Sequence, residues 1–215
     1  MHGRPPDLTP EILLQAYRQG VFPMAERQDD ARLFWFDPVW RGILPMDGVH
    51  LSRSLRRRLL AAPFRLSLNE DFAGVLRGCA DRPETWINAP ITALFTALHA
   101  RGAAHSIEVW DGPALVGGVY GLAIGGAFCG ESMFSRRKDA SKIALVTLVA
   151  HLRRCGFALF DTQYLTAHLA SLGGVEIPRK RYHARLAEAL KLDADIRACR
   201  LPDPQDVVQL ITQRS

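Results

Sequence analysis

Cysteine is scarce in this 215-residue chain: Cys79, Cys129, Cys155 and Cys199 lie far apart and form no C-x-x-C pair. That spacing argues against a zinc site and against a secreted disulfide framework, and it fits a reducing, cytoplasmic setting. Long apolar runs are also missing. The richest stretches, residues 117–129 and 143–152, are shorter than the roughly 18 residues a membrane helix needs, or are broken by glycine, so no membrane role is expected. The amino terminus, MHGRPPDLTP, lacks the apolar core of a secretion signal. Nor is there an internal repeat, a low-complexity tract or a long linker.

What is present is ordinary globular material, with 48% apolar and 23% charged residues, 17 Gly and 13 Pro. A chain this long buries on the order of 70% of its extended surface and needs no metal or disulfide to hold it. One catalytic-size domain with small annexes is expected: residues 1–40 as an amino-terminal subdomain, 41–200 as the main domain and 201–215 as a tail. The excess of 27 Lys+Arg over 22 Asp+Glu gives +5 and suggests an anionic partner. The positive charge is clustered. Arg53, Arg56, Arg57 and Arg58 share adjacent turns of one predicted helix, and Arg179, Lys180 and Arg181 form a second group. Either cluster could track nucleic-acid phosphates or be a solvated face.

Helical and extended patterns mix along the chain, an α/β or α+β signature. Residues 7–18 read as an amphipathic helix with Thr9 as cap and Pro10 at its first position, followed by an irregular aromatic stretch and a short strand near Ile43. Helices are expected at 52–61, 70–80 and 90–101, with an extended segment at 65–69. Residues 105–110, 115–124 and 128–134 alternate as strands separated by D-G-P and G-G turns, a three-strand meander. The longest helix, 139–155, stops at Gly156. A short strand, 158–163, then leads to helices at 167–172 and 178–190. A meander, a long helix, and a strand running into another helix is the order of acetyltransferase-like (GNAT-type) folds: a mixed, mostly antiparallel sheet flanked by helices.

Three strings are diagnostic: G-E-S-M-F-S-R, A-S-K, and D-x-Q followed by H-L-x-S-L-G. With DLTPEILLQAYRQGVFPM, HLSRSLRRRL and TWI upstream, they make residues 7–190 resemble the leucyl/phenylalanyl-tRNA–protein transferases. The resemblance implies an enzyme that moves leucine or phenylalanine from aminoacyl-tRNA to the amino terminus of proteins beginning with Arg or Lys, creating a degradation signal. It implies no metal or organic cofactor, and a monomer is expected. Two further readings stay open from the residues: an acyl-CoA-dependent N-acetyltransferase, and a non-catalytic RNA-binding protein.

Aminolysis of an ester needs a neutral amine, a group to take its proton and donors for the developing oxyanion. On the strand ending at Gln163, Asp161 and Gln163 are two apart and should project to one face. In the resembled family they are the proposed catalytic pair, Asp161 as electrostatic base and Gln163 as the group contacting amine or carbonyl. On this reading Asp161→Ala should abolish transfer and spare the fold. From the residues alone, Asp161 could equally cap the next turn. Glu131, a carboxylate in an apolar strand, needs a partner. That partner is either Arg136 or Lys142 internally, or the cationic end of the acceptor; Glu131 could also position Gln163.

A side-chain pocket that takes Leu and Phe should be deep and apolar, and Val119, Phe128 and Met133 are its candidate lining. Trp86 is a candidate platform for the terminal adenosine. Met24 is the second adenosine candidate and departs from the tryptophan that relatives often carry there. Three decoys remain. Arg153-x-x-Gly156-x-Ala158 sits at a helix end unsuited to phosphate. Cys129 with His105 would be a nucleophile pair only if the thiol were reactive. His168 is a structural histidine or a proton shuttle.

Overall fold

The computed structural model describes residues 8–25, 33–82 and 85–213. Helix α1 (Pro10–Arg18) starts where the sequence places its cap: Thr9 Oγ1 accepts from Ile12 N–H. Its Leu13 and Tyr17, one turn apart, form the buried face. The aromatic stretch after it is a two-stranded hairpin, β1 (Phe22–Ala25) and β2 (Leu33–Phe36), with Met24 opposite Phe34 and Phe22 opposite Phe36. Next come β3 (Trp40–Ile43), α2 (Arg53–Leu60), β4 (Arg65–Leu68), α3 (Phe72–Ala80) and α4 (Ala89–Ala100). The expected meander is β5 (Ala104–Asp111), β6 (Ala114–Ile124) and β7 (Ala127–Ser135). The rest is α5 (Ala140–Arg154), β8 (Leu159–Gln163), α6 (Ala167–Ser171), β9 (Val175–Pro178), α7 (Arg179–Ala189) and α8 (Pro204–Thr212).

Seven strands form one mixed, mostly antiparallel sheet in the order β4-β5-β6-β7-β8-β3-β9, flanked by helices, so the fold is α+β. Among the described residues, only the β7–β8 pairing is parallel. Side-chain alternation divides the sheet between two apolar layers. Ile107, Val109, Val119 and Phe160 meet α5, α2 and α8, while Tyr120, Leu122 and Ile124 meet α1, α3 and α4. Twelve of the 15 residues of α5 are buried, because the sheet covers one side and α2 and α8 cover the other. Gly156 (φ +82°) then stops the helix in the left-handed conformation that glycine adopts without strain. Helix α8 lies in the stretch expected as a tail, and its Val207, Val208 and Ile211 are buried in the α5 layer.

The feature that positions the site is a split in the sheet. Parallel pairing runs from Ala127↔Leu159 only to Cys129↔Asp161, yet β7 continues to Ser135 and β8 to Gln163. β3 holds β8 from the other side, with Gly42 opposite Gln163. The two strands therefore part into a V. Gly130 stands at its apex, where an added Cβ would come within 2.8 Å of the Phe160 ring.

Candidate active site

A cleft of about 520 Å³ fills this V. Glu131 and Met133 border it from β7, Thr162 and Gln163 from β8, Leu145 from α5, and Trp86 from the segment before α4.

Asp161 does not border the cleft, whereas Gln163 does. Gln163 takes a left-handed backbone (φ +57°) at the end of the strand. Asp161 is 0% exposed, with four donors on its carboxylate. Its Oδ1 accepts from Arg41 Nε (2.8 Å) and from Gln163 N–H (2.9 Å). Its Oδ2 accepts from Arg41 Nη2 (2.6 Å) and from the Tyr182 hydroxyl (2.9 Å). The turn-capping reading thus describes what Oδ1 does to the Gln163 backbone. Arg41, 1% exposed, also donates from Nη1 to Gly20 O (2.9 Å), and it stacks on the rings of Phe22 and Tyr182 at 4.6 and 4.3 Å. The hydrogen bond and charge of Asp161 hold this guanidinium well above its ordinary pKa against the opposing cost of burial. Tyr182 is likewise pushed far up, first by burial and then by the Asp161 charge.

Glu131 meets a different environment. Tyr17 of α1 donates its hydroxyl to Oε1 (2.7 Å), and Gln163 Nε2 donates to the same oxygen (3.3 Å). Among the described residues neither internal ion pair forms: Arg136 pairs with Asp81 (3.0 Å), and the contacts of Glu131 are with Tyr17 and Gln163. Withdrawal from water, reinforced by the Asp161 charge and opposed by the Tyr17 hydrogen bond, pushes the Glu131 carboxyl up to about 8. A carboxyl that is neutral near pH 7 and faces a cleft can ionise when a cation arrives.

The apolar end of the cleft includes Val119, Met133, Leu145, Phe160 and Leu169. Phe128 does not reach it. That ring is fully buried behind Phe160, with centroids 5.4 Å apart, because the parallel register sets Phe128 beside Phe160. Trp86, Met24 and Phe22 border the other end. Further polar side chains line the cleft, among them Arg82, Ser132, Ser141, Thr162, Thr166 and His168. Thr162 Oγ1 and His168 Nε2 are buried and have no hydrogen-bond partner among the described residues. Burial and, after it, nearby Lys142 lower the His168 pKa.

Arg53, Arg56 and Arg57 are exposed on α2 and lie outside the cleft, whereas Arg58 binds Asp139 (3.0 Å) at the start of α5. The decoys resolve structurally. Cys129 is buried with its thiol pushed far up, and His105, lowered to about 4 by burial, bonds Gly102 O and Asn69. Arg153 donates to Leu210 O in α8. Among the described residues, no three His, Cys, Asp or Glu side chains come together to hold a metal. No helix of theirs is long and apolar enough to cross a membrane.

Tyr17, Phe22, Arg41 and Tyr182 are the site residues that sequence reasoning missed. The available signals were an arginine inside the short strand W-R-G-I and a tyrosine on the apolar face of α1.

The family described as leucyl/phenylalanyl-tRNA protein transferase matches residues 43–187, and its amino-terminal domain matches residues 6–39. Proteins named leucyl/phenylalanyl-tRNA–protein transferase are similar along nearly the whole chain. That of Dinoroseobacter shibae is 61% identical over 198 residues, 92% of this chain and 89% of that one. That of Ruegeria pomeroyi is 60% identical over 208 residues, 97% of this chain and 99% of that one. The solved structure of FemX overlays with a TM-score of 0.47 at 13% identity, covering 96% of this chain and 73% of that one, a likeness too low to bear on chemistry.

Proposed function

The chain belongs to the leucyl/phenylalanyl-tRNA–protein transferase family, and from this premise we propose how its cleft carries out transfer. The enzyme moves leucine or phenylalanine from aminoacyl-tRNA to the amino terminus of a protein, and in this family the added residue is a degradation signal. The acceptor's neutral α-amine attacks the ester carbonyl carbon. A C–N bond forms, the bond to the ribose 3′ oxygen breaks, and that oxygen leaves as a hydroxyl with the proton the amine gives up. An α-amino group with a pKa near ~8 is partly neutral already, so orientation is the larger need.

Gln163 supplies that orientation. Its Nε2 is turned to Glu131, which leaves the carboxamide oxygen to accept an N–H of the amine. Glu131 receives the cationic side chain of an acceptor that begins with Arg or Lys. The observation that carries this reading is a cleft-lining carboxyl whose donors among the described residues, Tyr17 and Gln163, are both neutral. The donor's side chain enters the apolar end beside Met133, Val119 and Leu145, and its terminal adenosine lies on Trp86 and Met24. Thr162 and His168, which border the cleft, lie beside the ester and ribose. The parted β7 and β8 correspond to the splayed strands of acetyltransferase-like folds. Arg53, Arg56 and Arg57 track acceptor-stem phosphates, which gives affinity without base reading. The enzyme works as a monomer in the cytoplasm, where charged tRNA is found.

The test is transfer of labelled leucine from leucyl-tRNA to peptides that differ only in their first residue. Peptides starting with Arg or Lys should be preferred by the wild type, and Glu131→Gln should lose that preference. Equal use of Arg-first and Ala-first peptides by the wild type would overturn the acceptor assignment.

A further inference from the structure

We propose that Arg41 is the positioning residue of the transfer reaction, setting the Gln163 carboxamide and the Phe22 wall of the cleft at once. The inference rests on the functional reading above and deepens it. Gln163, whose side chain borders the cleft, takes a left-handed backbone (φ +57°), a conformation unfavourable for a glutamine. What holds it there is Asp161 Oδ1, which accepts the Gln163 N–H at 2.9 Å. Asp161 itself cannot rotate, because Arg41 grips both of its oxygens in a fork (2.8 and 2.6 Å) and Tyr182 adds a bond to Oδ2 (2.9 Å).

The same guanidinium is anchored on the other side of the cleft. It donates to Gly20 O and stacks on Phe22, which borders the cleft beside Met24. Arg41 therefore joins β3, β8, α7 and the segment after α1 in one buried knot. Its two outputs toward substrate are the amine-orienting side chain and the donor-side wall. With its four contacts made, Asp161 has no site left for an incoming amine, and it acts through Gln163 alone. Lysine cannot replace Arg41, since one ammonium does not reproduce the planar fork or the stacking.

The test compares the wild type with Arg41→Lys and Tyr182→Phe in the leucyl-tRNA transfer assay, measuring kcat, KM for each substrate, the pH profile and the melting temperature. A misplacement of about 1 Å at the reacting atoms costs on the order of 100-fold, so kcat of Arg41→Lys should fall by about that factor. Its KM for leucyl-tRNA should rise only a few-fold, because Phe22 is one part of the donor-side wall and the apolar pocket residues stay in place. Tyr182→Phe, which removes one hydrogen bond to Asp161, should lose about 10-fold in kcat with little change in melting. If Arg41→Lys melts below the assay temperature, Tyr182→Phe carries the same test. Both losses should be parallel at every pH. Wild-type kcat in the folded variants, or a pH profile stripped of its acidic limb, would overturn the assignment while leaving the family function intact. Absence of transfer by the wild type would instead overturn the functional reading, and this proposal with it.

Discussion

Asp161 and Glu131 sit on neighbouring strands, one on each side of the point where the sheet parts, and the protein treats them oppositely. Asp161, on the paired side, is sealed with a guanidinium, a hydroxyl and a backbone N–H. Glu131, on the open side, has two neutral donors on one oxygen, and burial lifts its carboxyl to about 8. The contrast separates two uses of a buried carboxylate. A fixed charge holds geometry, whereas a charge left incomplete waits for a ligand.

The largest effect should come from breaking the sealed side. Asp161→Ala strands Arg41 as an unpaired buried charge and should cost ~3–5 kcal/mol in thermal or urea unfolding, along with loss of transfer. This departs from the simple sequence expectation that the fold would be spared. The open side should respond in function first. Glu131→Gln removes a charge-assisted contact of ~1.5–3 kcal/mol and should lower kcat/KM for Arg-first peptides by ~10–100-fold, with less effect on Ala-first ones.

The same substitution should change the pH dependence of stability with a definite sign. The folded Glu131 pKa is raised, so between about 4.5 and about 8 the native state holds a proton that the unfolded chain has released. Wild-type stability should therefore fall across that window relative to Glu131→Gln, as followed by melting temperatures from pH 5 to 9. A smaller effect concerns the hinge between the two sides. Gln163→Gly should be more stable than Gln163→Ala by ~1–2 kcal/mol, because glycine takes the left-handed backbone without strain, and both should lack transfer. Smallest of all, Arg57→Gln on exposed α2 should raise KM for tRNA a few-fold and reduce the slope of log affinity against log salt by about 1.

The sequence made the meander and α5 legible because each repeats its period over many residues. It hid β1, β2 and β9, each only four residues long, with Pro23 inside one and Pro178 ending another. Helix α8 went unread although Asp203 and Pro204 form a standard helix start. At the site, the string containing Asp161 and Gln163 was visible, but its environment was not. Arg41 is 120 positions from Asp161, and Tyr17 is 114 from Glu131. No local spacing encodes such pairs. Nor does spacing announce the left-handed backbone of Gln163, a non-glycine residue at the strand's end.

The most direct test is an NMR titration of the side-chain carboxyl of Glu131 in ¹³C-glutamate-labelled enzyme, assigned with Glu131→Gln, with and without an Arg-first peptide. A midpoint near 8 that drops when the peptide binds is the predicted result. A midpoint in the ordinary glutamate range, unmoved by the peptide, would contradict the account.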